Sequence, residues 1–254
     1  MSITKINAKV EQTAQLASDV YSMWLKVGEM ATQARPGQFV SVYVNDGSKL
    51  LPRPISICEI EQEGGRLRIV YRVVGFGTDA FSRCQEGDSL QVMGPLGNGY
   101  DLKDKKAILV AGGIGIPPML ELAKQLDCEK TIVLGYRDAL FLNEEFKQYG
   151  KVVISTEDGS AGIRGNVIDA IKAEGVTGDV IYSCGPMPML RGIKDYAAAH
   201  GIECWISMEE KMACGIGACL ACVCRSHEVD HHTNVNNKRI CKDGPVFNAM
   251  EVVL

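Results

Sequence analysis

Cysteine is the residue with the most chemistry to offer in this 254-residue chain. Of ten cysteines, Cys214, Cys219, Cys222, Cys224 and Cys241 crowd one stretch, while Cys58, Cys84, Cys128, Cys184 and Cys204 are scattered. Cys214, Cys219 and Cys222 follow C-x4-C-x2-C, with Cys241 further on, which is the ligand spacing of a plant-type 2Fe-2S cluster. Mostly small residues between Cys214 and Cys219 let a loop wrap an inorganic core and turn backbone amides toward its sulfurs. The rival is a four-cysteine structural zinc site. Such sites usually come as two C-x2-C arms, and only one such pair is present. Cys224, two residues past Cys222, points away from such a core. Cys241 suits the fourth position because Lys242, Asp243, Gly244 and Pro245 make a tight turn beside it. His227, His231 and His232 lie in a polar stretch, SHEVDHHTNVNNKR, and read as solvated side chains in a loop.

Four further segments offer phosphates or rings something to bind. Arg53-Pro54-Ile55-Ser56 lies in a β run, where a proline-fixed turn aims the guanidinium at an anion and Ser56 reaches a ring atom. Alone, this reads first as a surface arginine beside an edge-strand proline. Gly75-Phe76-Gly77-Thr78 follows a strand ending Val70-Tyr71-Arg72 and offers backbone donors to a pyrophosphate, or is an ordinary turn. Met93-Gly94-Pro95-Leu96-Gly97-Asn98-Gly99 by itself marks only a domain boundary. Gly112, Gly113 and Gly115 stand between a buried strand and a helix, as a dinucleotide site requires. The Rossmann spacing fails because Pro118 takes the third glycine position. Cys184-Gly185 ends a later strand, where the cysteine either meets a nicotinamide ring or is a buried thiol.

The elements that must position these groups fall into three segments. Residues 1–100 carry short β runs at 38–44, 54–60, 66–74 and 89–93, with Gly64-Gly65 as a hairpin turn, which suggests a small β-barrel or sandwich. Residues 101–207 alternate strand and helix. Strands are expected at 106–111, 131–136, 151–155 and 180–183, and helices at 117–126, 143–149, 167–173 and 187–199. That order predicts a doubly wound parallel sheet. Residues 208–254 have too few apolar residues for a core of their own.

Composition narrows the classes. A hydrophobic fraction of 46% allows a sizeable core, and a net charge of −4 gives no general attraction to nucleic acid or anionic membrane. The N-terminus lacks the layout of a signal peptide, and the longest apolar stretch, 107–122, is broken by glycines and prolines. A soluble, cytoplasmic protein is expected.

In their order along the chain these motifs resemble the ferredoxin-NADP reductase superfamily. More closely, they resemble the electron-transfer subunits of the NAD-dependent (class 1B) dihydroorotate dehydrogenases of pyrimidine biosynthesis. The resemblance spans essentially the whole chain and is most specific at 209–219 (EEKMACGIGAC) and 241–247 (CKDGPVF). It implies an oxidoreductase subunit with a β-barrel FAD domain, an α/β NAD domain and a 2Fe-2S segment. Arg53, Pro54, Ile55, Ser56, Val70, Tyr71 and Arg72 would hold FAD, with Gly77 and Thr78 on its pyrophosphate. Gly112, Gly113 and Gly115 would open the NAD site, with Cys184 and Gly185 near the nicotinamide. Cys214, Cys219, Cys222 and Cys241 would bind the cluster. The resemblance further implies a heterotetramer of two such chains with two FMN-containing catalytic subunits. Electrons from dihydroorotate would pass from that FMN through the cluster and FAD to NAD+, with no general base in this chain. A diaphorase subunit with the same cofactors but another partner (of the NADPH-ferredoxin transhydrogenase, hydrogenase or sulfite reductase type) is the alternative. A zinc-bearing nucleotide sensor without turnover is a third reading.

Overall fold

The computed structural model describes residues 3–230 and 234–254. The first six strands are β1 (Thr4–Ala17), β2 (Val20–Lys26), β3 (Phe39–Tyr43), β4 (Arg53–Glu61), β5 (Arg66–Arg72) and β6 (Ser89–Leu96). They close into an antiparallel barrel in the order β1-β2-β5-β4-β3-β6, with helices α1 (Met30–Gln33) and α2 (Phe76–Ser82) in its connections. Period-two alternation fills it. Val40 and Val42 of β3 face inward with Met23, Leu25, Ile69 and Val92, which puts Phe39 and Ser41 on the outer wall. Gly65, at φ +59°, completes the β4–β5 hairpin.

β1 and β2 go beyond the pattern read from the sequence. In β1 only Ala8 and Val10 are fully buried, so its ladders to β2 and β6, rather than apolar alternation, define it.

A seven-stranded sheet follows, built from β7 (Ala107–Gly112), β8 (Lys130–Tyr136), β9 (Lys151–Thr156), β10 (Ile163–Arg164), β11 (Val180–Cys184), β12 (Glu203–Ser207) and β15 (Val246–Asn248). The intervening helices are α3 (Pro118–Gln125), α4 (Asn143–Phe146), α5 (Val167–Ala173) and α6 (Met187–His200). The order is β10-β9-β8-β7-β11-β12-β15, all parallel except β15, which pairs antiparallel to β12 at the edge. Barrel followed by parallel sheet is the architecture expected of this sequence.

The last segment behaves differently from a loop. β13 (Val223–Asp230) and β14 (Val235–Arg239) form a hairpin within the polar stretch that reads as loop. Its residues do not alternate in hydrophobicity. Backbone bonds hold it instead, from His227 N to Glu251 O and from Val253 N to Arg225 O. His227 is exposed there; His231 and His232 lie outside the described residues.

Barrel and sheet share one apolar seam. A bulge beside Cys58 turns that side chain outward, into a cluster with Val20, Val70, Ile116, Met119 and Leu120. Charges buried in the seam are fully bonded. Glu121 of α3, 1% exposed, accepts from the Ile60 amide at 2.7 Å and from Gln125 at 2.7 Å. Arg68 of β5 reaches Glu59 at 2.7 Å and Glu145 of α4 at 2.6 Å. Unpaired, either charge would destabilise the junction by several kcal/mol.

Candidate functional site

The cysteine loop lies against the outer wall of the barrel. Its four expected ligands come as two pairs. Cys214 Sγ and Cys219 Sγ are 3.3 Å apart, and the Cys241 amide donates to Cys222 Sγ at 3.4 Å. Two more amides point inward, Gly217 N to Cys241 Sγ at 3.1 Å and Cys219 N to Cys214 Sγ at 3.4 Å. Burial pushes the Cys214 thiol up, but the amides of Cys219, Ile216 and Ala218 outweigh it and bring the thiol well below its ordinary value. Cys241 moves the other way, raised by burial and by the facing Cys222. Cys224 is half-buried on β13 and forms part of neither pair.

This donor set fits a diiron core better than a single tetrahedral ion. Among the described residues no three His, Cys, Asp or Glu side chains converge on one ion position. Two thiols per iron is what a 2Fe-2S core takes. Gly215 and Gly217, at φ +70° and +80°, let the loop turn in conformations that other residues rarely adopt.

What holds the loop was only half visible in the sequence. The stretch that reads as a boundary, 93–99, clamps the turn after Cys241. Asn98 N donates to Gly244 O at 2.6 Å, and its side-chain amide donates to Lys242 O at 3.2 Å and Asp243 O at 3.1 Å. The clamp's own backbone is fixed by Gln38, whose amide donates to Gly97 O at 2.7 Å. From the hairpin side, Arg239 bonds Asp243 Oδ2 at 3.3 Å and Gly217 O at 3.0 Å. Phe39, Leu96, Cys222, Cys241 and Phe247 then share one apolar cluster. Phe39 N-terminal to Ser41 thus faces the cysteines, not the barrel interior. Ser41, 1% exposed, leaves its hydroxyl without a hydrogen-bond partner among the described residues.

The expected flavin residues converge on the neighbouring wall. Pro54 and Ser56 on β4 pair with Ser41 and Phe39 of β3. Arg53 lies over Gly77, where an added Cβ would collide with the guanidinium. Val70 and Arg72 lie on the outward face of β5. Three residues differ from the simple expectation. Tyr71 turns into the barrel, its ring 5.9 Å from Phe81 and 6.2 Å from Tyr21, so only its backbone faces out. The Thr78 hydroxyl is engaged locally, accepting from Val74 N at 3.0 Å. Ile55 is half-buried and packs against the barrel core. The cradle of Arg53 over Gly77, with an apolar strand face beside it, fits a flavin dinucleotide.

Beyond the carboxyl ends of the sheet strands, the nucleotide pieces also meet. A Cβ on Gly115 would lie 2.6 Å from Gly185 Cα, and one on Gly112 would lie 2.6 Å from Met189 Sδ, so both loops pack edge to edge. Gly113, at φ +54°, opens a short 3-10 turn and lines a cavity of about 310 Å³ with Arg72, Asp19, Tyr136, Arg137 and Asp138. Cys184 is fully buried beside it, and burial pushes its thiol far up, so it stays protonated. No sequence motif marks Asp19 or Ser41; the Arg72 that pairs with Asp19 and the Gly215 turn that covers Ser41 are far away in the chain.

Comparison with known proteins covers two of these regions. Residues 209–253 match the model of the iron-sulfur cluster binding domain of dihydroorotate dehydrogenase B, and residues 7–100 that of the oxidoreductase FAD-binding domain. The dihydroorotate dehydrogenase B (NAD(+)) electron transfer subunit of Fusobacterium nucleatum is 44% identical, the match covering 96% of each chain. That of Streptococcus mutans is 42% identical over 99% of each chain. Among solved structures, an NADH-dependent reduced ferredoxin-NADP oxidoreductase superposes with a TM-score of 0.87 at 30% identity, covering 97% of this chain and 89% of that one. A ferredoxin NADP+ reductase from Neisseria gonorrhoeae shares the fold alone, with a TM-score of 0.64 at 15% identity over 78% of this chain and 92% of that one.

Proposed function

The chain belongs to the family of dihydroorotate dehydrogenase B (NAD(+)) electron transfer subunits, and on that premise we infer that it carries electrons from a dihydroorotate-oxidising catalytic subunit to NAD+. The observation that carries this reading is the seating of two cysteine pairs on the same barrel wall as the Arg53–Ser56 stretch, one strand apart. When bound, a 2Fe-2S cluster supplies one-electron chemistry and a flavin converts it to the two-electron chemistry of a nicotinamide.

The protein's own contribution is position and environment. Backbone amides of Gly217, Cys219 and Cys241 offset the charge of the thiolate cage. Arg53 offers a guanidinium to a pyrophosphate at the Gly77 turn. Gly112 and Gly115 let this turn pack against Met189 and the Cys184-Gly185 backbone, and Gly113, with open space where a side chain would stand, leaves room for a nucleotide. The paired charges of Glu121 and Arg68 keep barrel and sheet at a fixed separation, as ring-to-ring transfer demands. The cysteine loop also offers a docking edge: Ile216 and Leu220, 47% and 58% exposed, flank Cys219 with apolar surface. A catalytic subunit docked there, in a two-plus-two assembly, completes the route.

The test is co-expression with the candidate catalytic subunit, anaerobic purification, and assay of dihydroorotate-dependent NAD+ reduction. Activity together with a native mass of two plus two chains supports the reading. Flavin and cluster absorbance with NADH oxidation by artificial acceptors, but no response to dihydroorotate, would assign the chain to a different partner. No helix among the described residues is long and apolar enough to cross a membrane.

A further inference from the structure

Ser41 stands between the two expected redox groups. Its strand partner on one side is Pro54, which has no amide hydrogen. On the other side is Met93 of β6, and the cysteine loop covers the outward face. A Cβ built on Gly215 would lie 3.0 Å from Ser41 Oγ, with Leu96 Cδ1 at 3.4 Å and Met93 Cε at 3.8 Å. The hydroxyl thus lies under the Gly215 turn, in a seam that Leu96 and Met93 also line, is shut off from water, and has no partner among the described residues. Such a group is costly to bury, and alanine would fill the seam without that cost. Gly215 directly follows Cys214, whose sulfur belongs to the first thiol pair.

We propose that the Ser41 hydroxyl donates a hydrogen bond to a sulfur of the 2Fe-2S cluster and thereby raises its reduction potential. The proposal rests on the cluster reading above. A hydrogen bond to a cluster sulfur favours the form carrying the additional electron, so its loss shifts the potential negative. Ser41 lies outside the ligand set, and the barrel tunes the cluster through it.

The experiment is potentiometric titration of the anaerobically purified holoprotein, following the reduced cluster by electron paramagnetic resonance and the flavin by absorbance. In S41A the reduced-to-oxidised ratio of the cluster at a fixed poise should fall on the order of tenfold, equivalent to about 59 mV for a one-electron couple. Its g-values should shift, with iron, sulfide and flavin potential unchanged. Should S41A fail to retain iron, S41T and S41V decide the matter. They are nearly equal in volume and differ in the hydroxyl, so the threonine variant should hold the higher potential. An unchanged cluster potential in a fully loaded S41A, a shift confined to the flavin, or equal potentials for S41T and S41V would overturn the proposal. A wild-type chain carrying no iron or acid-labile sulfide would instead remove the cluster reading itself.

Discussion

Gly217 has three tasks at once. Its amide faces Cys241, its carbonyl accepts from Arg239, and its φ of +80° is one that few side chains tolerate. An added Cβ would also lie 2.6 Å from Lys242 Cδ. G217A should therefore lower iron and sulfide per chain while leaving bound flavin unchanged, which metal analysis and absorbance will show. Asn98 is a gentler case. N98A removes the side-chain bonds to Lys242 and Asp243 but keeps the backbone bond to Gly244, so the loss is about 1 kcal/mol, or roughly 2–4 °C in Tm. Glu203 brings a pH dependence. Lys105 foremost, opposed by partial burial and helped by Trp205 and Lys103, holds its carboxyl down to about 2 from the ordinary 4.5. The folded value lies below the unfolded one. The stabilisation is complete above about pH 4.5 and is lost as the pH falls toward 2. E203Q should flatten stability against pH across that window in denaturant titrations. With the side chain a quarter exposed, screening leaves it worth about 1 kcal/mol at neutral pH.

At the scale of elements, the junction of β4 with α3 makes the sharpest prediction. E121A strands the Ile60 amide in the seam and should destabilise by about 2–3 kcal/mol, whereas E121Q keeps an acceptor there and should lose less. Thermal unfolding of both variants measures the difference. The elements also show which signals a sequence carries. β7, β8 and β11 are continuous apolar runs closed by glycine or turn residues, and their limits fall within a residue or two of the expected ones. α4 ends at Phe146, short of the expected 149, because the chain turns there with Tyr149 N bonded to Phe146 O. β1, β13 and β14 had no such signal, since ladder bonds and not burial define them. The candidate site divides along the same line. Cysteine spacing is local and legible, but the 93–99 clamp bonds residues about 145 positions away, and no window along the chain contains both partners. Tyr71 stands in a motif yet faces inward, because strand parity, and not motif membership, decides its direction.

For the whole molecule, the segment carrying the cysteines has no fold apart from the others. Its strand β15 completes the sheet beside β12, its turn is clamped by the end of the barrel, and Cys222 and Cys241 share an apolar cluster with Phe39 and Ile206. Barrel, sheet and cysteine loop are therefore expected to unfold together. A chain lacking iron should show a lowered Tm for the entire fold and not merely a local change, as calorimetry of the apo and holo forms will reveal. The edge strand β15 has a consequence for biosynthesis. A ribosome delivers the barrel strands before the parallel sheet, and β12 and Cys222 before Cys241 and β15. Until then β12 is a bare edge and the first thiol pair waits for the second. The four-thiol set is therefore assembled only once Cys241 has been made, and in that interval the exposed edge of β12 is open to wrong strand pairing.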